Sequence, residues 1–262
     1  MWRFNFLEVG LSTLYLTVKS FKKAIKTLTT YADECKTWEI VDEFNLRLNK
    51  LKVKILNEIK ESFSLKYTVH TPFYDLNIAS LNPTIRKTTL KIIEKSMRFA
   101  WELEAKMYVL HPGFYDVFQP KKTEKFNFQS LKKLITYAKN LGIPVSVENL
   151  PAGFQTLTRV EDFEKLFNQL EFLDFSLALD VGHAYTVNQL ELFLEKFQDK
   201  IGHVHLHNND GKSDSHNGLD EGGIDWMNVV KTLKNNGFNG CLIVESTSKP
   251  LESYLKLKKI FG

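Results

Sequence analysis

Short apolar runs alternate with longer amphipathic stretches along the 262-residue chain. The runs are rich in β-branched and aromatic residues and are bounded by turn signals, a pattern that predicts strands. There are eight of them: FNFLEVGLS, TWEIVDE, KYTVHTP, MYVLHPG, PVSVENL, SLALDVGHA, IGHVHLH and GCLIVES. Strands that alternate with helices predict a parallel sheet, and eight strand–helix units in a chain of this length predict a (β/α)8 barrel of the α/β class.

The stretches between the runs have apolar residues at helical spacing. Four of them predict long helices: SFKKAIKTLTTYADE, TIRKTTLKIIEKSMRFAWELE, FQSLKKLITYAKNLG and PLESYLKLKKIF. The third stretch closes on Gly142 and is soon followed by Pro144, a common way for a helix to end. No linker or shift in composition interrupts the chain, so we expect residues 1–262 to form one domain.

The composition is that of a globular protein, with 43% hydrophobic and 25% charged residues. The net charge of +4 permits an anionic substrate but does not indicate a nucleic-acid-binding surface. Cys35 and Cys241 lie far apart and outside any CxxC motif, which predicts reduced packing residues. The sequence shows no signal-peptide pattern, no apolar segment of membrane length and no sign of an obligate protein partner, so we expect a cytoplasmic protein.

Polar residues stand where the predicted strands end. In a (β/α)8 barrel the site is built at the carboxyl ends of the strands, so these residues would converge at one barrel mouth. Together with two residues of the loop after the seventh strand, they are His70, His111, Glu148, Asp180, His183, His205, His207, Asp214, His216 and Glu245. Such groups are costly to bury unless they are paired or bound to a metal. Because the set contains no cysteine, it suits zinc, manganese or a similar divalent ion.

The histidines of the HVHLH segment alternate, so they share one face of a strand. At a rise of roughly 3.3 Å per residue, His203 lies about 6–7 Å below His205 along that strand. We therefore expect His205 to be a metal ligand and His203 to be a core residue or a support for the ligand. His207 stays open between a contact with substrate and a contact with metal.

Five residues have a competing structural interpretation. Asp214 and His216 form an Asp-x-His pair in a loop that could simply be solvated. That loop leaves the same strand end as the expected histidine ligand, which favours a role in the site. Lys212 could reach a phosphate or could be exposed. Glu8 and Glu39 lie on predicted strands but match no metal-ligand spacing, so structural pairing is expected for both.

Six motifs carry a resemblance to a known group of proteins. They are VHTPFYDLN, LHPG, SVENL, LALDVGHAY, HVHLHNNDGKSDSHNGLDEGGID and LIVES. With these motifs in this order and spacing, the chain resembles the endonuclease IV and xylose isomerase-like TIM-barrel superfamily, also called AP endonuclease family 2, over essentially its whole length. The resemblance implies a metal-dependent enzyme with a TIM-barrel fold.

Two branches of that superfamily differ in the number of metal ions they hold. The endonuclease IV branch implies three ions, and all nine of its ligand positions are filled here. The three ligand sets would be His70, His111 and Glu148; then Glu148, Asp180, His205 and Glu245; then His183, Asp214 and His216. The sugar isomerase and epimerase branch implies one ion, which the second of these sets would hold, with His183 near the substrate.

Other residues depart from the endonuclease pattern. The stretch after strand two, NLRLNKLKVKILNEIK, predicts a helix and not an Arg-rich loop that recognises DNA. Phe73 and Tyr74 stand where the resemblance implies a tyrosine that intrudes into DNA, and Asp220 stands in place of a glycine. The motif DVGHA is more typical of the isomerase-like branch. No basic patch is dense enough to predict strong binding to duplex DNA.

The complete ligand set favours a metal-dependent phosphoester hydrolase of the endonuclease IV type, with abasic DNA or a smaller phosphoester as substrate. Zinc is the expected metal, with up to three ions, and manganese or another divalent ion is the alternative. The alternative function is a sugar or sugar-phosphate isomerase or epimerase with one ion, in which two glutamates would move a proton. The expected catalytic residues are Glu148, Glu245 and His183, and the expected substrate contacts are Lys212, His207 and Phe73.

Overall fold

The computed structural model describes residues 7–153 and 155–261. In these ranges eight parallel strands close into a barrel in chain order, which confirms the predicted fold class. The start of the first predicted strand, Phe4 to Phe6, lies outside the described residues. The strands β1 to β8 are Glu8–Ser12, Thr37–Val41, Lys66–His70, Tyr108–Leu110, Val145–Glu148, Ser176–Asp180, Ile201–Leu206 and Cys241–Val244.

Helices lie between successive strands in the chain, and two of them join β6 to β7. Short 3-10 turns at Leu14–Leu16 and Phe44–Leu46 follow β1 and β2. The helices α1 to α9 are Phe21–Thr30, Lys50–Phe63, Pro83–Glu102, Pro120–Leu141, Val160–Gln169, Val181–Thr186, Leu190–Lys196, Trp226–Asn235 and Pro250–Phe261. None of the helices in the described ranges is long and apolar enough to cross a membrane. The cytoplasmic location stays a prediction.

The segment after β2 differs from its prediction as one continuous helix. Helix α2 begins only at Lys50, because the side chain of Asn49 accepts a hydrogen bond from the Lys52 N–H and caps the helix there. Helix α4, in contrast, begins earlier than predicted, at Pro120. Proline suits the first turn of a helix. Its predicted end is confirmed, since Gly142 takes a left-handed φ of 75° that favours glycine.

The barrel interior is polar towards the carboxyl ends of the strands. Glu39 on β2 lies 2.9 Å from His203 on β7, and His70 on β3 lies 3.1 Å from Glu148 on β5. These strands are not neighbours in the barrel, so the contacts cross its interior. The residues predicted at the strand ends therefore face one another inside the mouth.

Apolar side chains fill the space between the barrel and its helices. Tyr67 of β3 is buried and its hydroxyl donates to the Leu56 carbonyl oxygen of α2. Cys35 and Cys241 are buried and free, as predicted. Burial raises the pKa of the Cys35 thiol to about 12, which leaves it in the thiol form at neutral pH.

Candidate active site

Four residues from four consecutive strands meet at the barrel mouth, and we call them the carboxylate centre. Glu148 ends β5, Asp180 ends β6, His205 lies in β7 and Glu245 follows β8. Each offers a donor atom within 4.8 Å of the donor atoms of the other three. The four side chains are at most 5% exposed. Protein donors lie about 2.0–2.2 Å from zinc and similar ions, so this spacing fits one shared ion.

The two ring nitrogens of His205 face different neighbours. Nδ1 lies 2.8 Å from Glu148 Oε1, 3.3 Å from Glu245 Oε2 and 3.8 Å from Asp180 Oδ2. Nε2 lies 2.9 Å from Glu39 Oε1. Burial opposes the imidazolium form, but the surrounding carboxylates outweigh burial and hold the pKa of His205 well above its usual value. A buried excess of carboxylates around one imidazole nitrogen is an environment that a divalent cation would neutralise.

Glu148 also contacts a histidine outside the carboxylate centre. Its Oε2 lies 3.1 Å from His70 Nε2, and His70 Nδ1 lies 2.8 Å from the Thr71 carbonyl oxygen. Because a carbonyl oxygen can only accept, His70 Nδ1 carries a hydrogen. Burial opposes protonation of the second nitrogen, but the hydrogen bond and charge of Glu148 raise the pKa of His70 to about 9. The pair is therefore ionised at neutral pH when no metal ion is bound.

His111 is set apart from these donor atoms. Its ring stacks on Phe73, with centroids 5.1 Å apart and planes inclined by 18°. Burial lowers the pKa of His111 to about 4. Within the described ranges, neither His111 nor His70 belongs to a compact group of three or more metal-donor residues. The set of His70, His111 and Glu148 reaches the same mouth without forming a compact site, and its role in binding an ion stays a prediction.

A second compact group, which we call the histidine centre, lies beside the first. It consists of His183 in α6, His207 directly after β7, and Asp214 and His216 in the following loop. Asp214 Oδ2 lies 3.1 Å from His183 Nε2 and 3.2 Å from His216 Nε2, and its Oδ1 lies 3.6 Å from His207 Nε2. The third expected ligand set is thus brought together, and His207, left open between substrate and metal, joins it.

Protonation at the histidine centre follows from the same balance of burial and charge. Burial opposes the imidazolium form of His183, but Asp180 and Asp214 raise its pKa to about 10. Burial has the same effect at His216, where the hydrogen bond and charge of Asp214 raise the pKa to about 9. The pKa of Asp214 is held well below its usual range by these two imidazoles, although burial opposes that shift.

The backbone explains how a loop reaches this position. Asn208 and Asn217 exchange two backbone hydrogen bonds, of 3.1 and 2.8 Å, which close the loop. His216 has a left-handed φ of 46°, which a non-glycine residue adopts only at some cost. Gly182 makes room for the centre, because a Cβ there would lie 2.0 Å from Cε1 of His207. The glycine of DVGHA therefore permits the position of the His207 ring.

Two polar residues support the site although the motifs gave no role to either. Glu43, after β2, accepts hydrogen bonds at Oε1 from the backbone N–H groups of Phe73 and Tyr74, at 2.6 and 2.7 Å. Asn149, after β5, donates to the Asp180 carbonyl oxygen and accepts from the Asp180 N–H, at 3.0 and 2.8 Å. Both residues stand just past a strand end, in IVDE and SVENL, and this position was the signal that could have identified them.

The two glutamates expected to form structural pairs do so. Glu8 pairs with Lys66 at 2.7 Å. Glu39 lies 2.9 Å from both His203 and His205. Glu39, His203 and His205 thus form a further compact group of possible metal-donor residues, and His203 lies outside the carboxylate centre itself.

A cavity of about 540 Å³ opens above these residues. Its polar lining includes Glu148, Glu245 and His183, and no lysine or arginine of residues 7–153 and 155–261 lines it. Its apolar wall is formed by Leu14, Phe73, Leu76, Phe114 and Pro151.

The three expected substrate contacts lie in different surroundings. Phe73 lines the cavity. His207 is fully buried, beneath the lining, and stacks on His216 with centroids 3.8 Å apart. Lys212 is exposed and lies outside the lining. Of the three, only Phe73 is placed to touch a molecule in the cavity without rearrangement, and all three roles stay predictions.

Comparisons with known proteins agree with this architecture. A solved structure described as a D-tagatose 3-epimerase-like protein is 29% identical, covers 97% of this chain and 95% of its own, and has a TM-score of 0.86. The fructoselysine 3-epimerase of Escherichia coli O157:H7 is 23% identical over 199 residues, which are 74% of this chain and 72% of that protein. The probable endonuclease 4 of Mycoplasmopsis synoviae (strain 53) is 25% identical over 193 residues, 68% of each chain.

Both branches expected from the motifs are represented among these relatives. The family model for the xylose isomerase-like TIM barrel, AP endonuclease family 2, matches residues 32–259. The matched region includes every residue of the carboxylate and histidine centres. The chain belongs to the xylose isomerase-like TIM-barrel family.

Proposed function

We propose that this protein is a divalent-metal-dependent epimerase or isomerase of a small, unphosphorylated sugar. The observation that carries the proposal is the carboxylate centre, in which Glu148 and Glu245 share one compact donor group at a cavity of about 540 Å³. Cavities for small ligands commonly measure about 300–1,000 Å³. The phosphoester hydrolase first expected from the motifs becomes the second candidate, because the 3-epimerase-like structure matches nearly the whole chain.

The carboxylate centre would hold the metal ion through Glu148, Asp180, His205 and Glu245. When bound, a divalent cation would polarise the carbonyl and hydroxyl oxygens of the sugar and neutralise the charge that develops on them. Three carboxylates and one imidazole form a hard donor set, which suits manganese or a similar ion. Zinc, the metal expected from the motifs, fits the three imidazoles of the histidine centre better.

Two glutamates reach the cavity from different strands and would move the proton. Glu148 Oε2 contacts His70, and Glu245 Oε1 accepts a hydrogen bond from Ser12 at 3.1 Å, so each carboxylate is held at both oxygens. One glutamate would take the proton from the carbon next to the carbonyl, and the other would return a proton to the opposite face, which inverts that carbon. Return of the proton to the neighbouring carbon would give isomerisation.

His183 would bind the sugar between the two centres. Its Nδ1 lies 2.8 Å from the Asn149 carbonyl oxygen, so this nitrogen carries a hydrogen and the ring is fixed. Its Nε2 points to Asp214, and the residue lines the cavity. A sugar hydroxyl could contact either Nε2 or the Asp214 carboxylate, which would set the orientation of the carbon chain between the glutamates.

The lining favours a neutral substrate over a phosphorylated one. A phosphate group is normally bound by arginine, lysine or a cluster of backbone N–H groups, and no lysine or arginine among the described residues lines the cavity. Phe73 and Phe114 instead offer apolar ring surface against which the C–H face of a sugar can pack. We therefore favour a free ketose or aldose over a sugar phosphate.

The histidine centre is the specific observation that favours the second candidate. Hydrolysis of a phosphoester is served by clustered metal ions, which activate water and stabilise the entering and leaving oxygens. The group of His183, His207, Asp214 and His216 lies beside the carboxylate centre and could hold a further ion. The relative named a probable endonuclease 4 supports this reading at 25% identity.

Substrate panels separate the two candidates. Metal-free protein would be loaded with Mn²⁺, Co²⁺ or Zn²⁺ and incubated with free ketoses and aldoses, their phosphates, and duplex DNA that contains an abasic site. We expect interconversion of a free sugar, lost on chelation and in Glu148→Gln, and retained in Lys231→Ala, which changes an exposed residue of α8 outside the cavity. Metal-dependent cleavage of abasic DNA with no conversion of any sugar would replace the first candidate by the second.

A further inference from the structure

One carboxylate in the barrel interior, that of Glu39, belongs to neither the carboxylate centre nor the histidine centre. Glu39 of β2 is fully buried, as are its two histidine neighbours on β7. Glu39 Oε1 lies 2.9 Å from His205 Nε2, and Oε2 lies 2.9 Å from His203 Nε2. The Thr68 hydroxyl donates to Oε2 at 3.1 Å. A buried carboxylate is costly unless partners compensate it, and this one has imidazole partners from a strand on the far side of the barrel.

The surroundings of His205 distinguish its two ring nitrogens. Nδ1 of His205 faces the three carboxylates of the carboxylate centre, whereas Nε2 faces Glu39. A neutral imidazole carries one hydrogen, and an ionised carboxylate only accepts. When a cation at the carboxylate centre takes the lone pair of Nδ1, the one hydrogen of the neutral ring is on Nε2, which faces Glu39.

The contacts of Glu39 with the two imidazoles are short but are not formed hydrogen bonds. Glu39 Oε1, His205 Nε2 and His203 Nε2 are buried and close together, yet they are not aligned as formed hydrogen bonds. A small rotation of the rings that turned these contacts into hydrogen bonds would stabilise the protein. Attraction of Nδ1 towards a cation would reorient the His205 ring, and Glu39 lies where Nε2–H can then donate.

We propose that Glu39 is a positioning residue for the metal ligand His205. It fixes the tautomer and ring orientation of His205 and increases the electron density on Nδ1, and His203 with Thr68 holds the second oxygen of Glu39 in place. The inference rests on the metal-binding part of the proposed function. Loss of such a supporting partner typically weakens metal affinity or activity by about 10- to 100-fold, and we expect an effect of that size for Glu39→Gln.

Asp42 provides a matched control. It lies just beyond the same strand, on the opposite parity to Glu39, and is likewise buried. Its carboxylate accepts a hydrogen bond from the Leu48 N–H and lies near Arg47, away from the carboxylate centre. Asp42→Asn therefore removes a buried charge from the same part of the fold without touching His205.

The experiment titrates Co²⁺ into metal-free wild type, Glu39→Gln and Asp42→Asn, and records both the dissociation constant and the visible d–d spectrum. We expect Glu39→Gln to raise the dissociation constant about 10- to 100-fold and to change the d–d bands at saturation, and Asp42→Asn to do neither. Circular dichroism checks folding. Should Glu39→Gln fail to fold, Glu39→Asp, which keeps the charge but shortens its reach, and His203→Asn are measured in its place with the same expectation of direction.

Three results would overturn the inference. Equal affinities and spectra for wild type and the folded Glu39 or His203 variants would remove it and leave the proposed function intact. An equal loss in Asp42→Asn would mean that the effect is a general weakening of the fold. Failure of the wild type to bind Co²⁺ would overturn the proposed metal site, and this inference with it.

Discussion

The carboxylate centre and the histidine centre lie side by side but are built in different ways. The first is carried by strand ends and has three carboxylates and one imidazole, all at most 5% exposed. The second has three imidazoles and one carboxylate, and two of its members lie on a loop, where the Asp214 side chain is 25% exposed. The strand-borne group suits a hard ion and the loop-borne group suits zinc. The strand ends of the barrel therefore supply the donor atoms of the carboxylate centre, whereas the loop after β7 supplies the residues that extend the site.

Replacement of Glu245 by glutamine gives the largest expected effect. Under the proposed function, the variant loses a proton carrier and one metal donor of the carboxylate centre, while the volume of the side chain is kept. Positioned acid–base groups typically increase the rate about 10²- to 10⁴-fold. We therefore expect sugar turnover to fall by at least about 10²-fold. Turnover is followed by NMR of the sugar product. Glu191→Gln, an exposed glutamate on α7, serves as the control, and an equal loss there would break the assignment.

Asp214→Ala sharpens the comparison at the other centre. Asp214 is the one carboxylate that contacts all three imidazoles of the histidine centre. We expect the variant to lose any ion bound there, so that the metal content measured by mass spectrometry falls. Sugar turnover should fall less than in Glu245→Gln, because the proposed proton transfer uses the glutamates. Asp210→Asn, in the same loop but exposed, should change neither. If Asp214→Ala abolished turnover, the two centres would have to act as one functional unit, contrary to the expectation.

Gly182→Ala tests whether His207 belongs to the histidine centre. The added methyl group would lie 2.0 Å from Cε1 of the His207 ring, so the ring must move. Overpacking of this kind costs about 1–3 kcal/mol, and we expect a lower melting temperature and weaker Zn²⁺ binding. Mn²⁺ affinity at the carboxylate centre should change less than Zn²⁺ affinity. Unchanged Zn²⁺ binding in the folded variant would exclude His207 as a ligand.

A further prediction concerns the pH dependence of the stability of the metal-free protein. The folded-state pKa values of His183 and His216, about 10 and about 9, lie above the unfolded value of about 6.5. Their contribution to stability is therefore complete below about pH 6.5 and is lost as pH rises through 9 and 10. Urea unfolding between pH 6.5 and 10 should show a fall in the free energy of unfolding, smaller in His216→Gln. A flat wild-type profile would contradict these ion pairs.

The sequence predicts the barrel and the strand-end residues because both follow from simple periodicity. Eight apolar runs with helices between them leave few other folds, and the last polar residue of each run must face the mouth. The start of α2 was less predictable, because a continuous helical pattern hid the cap at Asn49. Asparagine is a preferred capping residue, but the helical spacing of apolar residues continues on both sides of Asn49 and favoured one uninterrupted helix.

Contacts across the barrel could not be read from the sequence. Parity placed His203, His205 and His207 on one face, but it did not show that Glu39 occupies the far side of His205. Nor did it show that His207 Nε2 lies 3.1 Å from Asp180 and 3.6 Å from Asp214. Such contacts depend on closure of the barrel and on the bridge between Asn208 and Asn217. Neither feature follows from the spacing of apolar residues within one strand or helix.

Solvent-deuterium exchange tests the central claim most directly. Metal-loaded wild type and Glu245→Gln would be incubated in D₂O with free ketoses and aldoses, and the sugars analysed by NMR and mass spectrometry. The account predicts that wild type incorporates one deuterium at a carbon that neighbours the carbonyl group, and that Glu245→Gln does so at least about a hundredfold more slowly. No exchange into any sugar by a wild-type protein that carries a metal ion at the carboxylate centre would contradict the account.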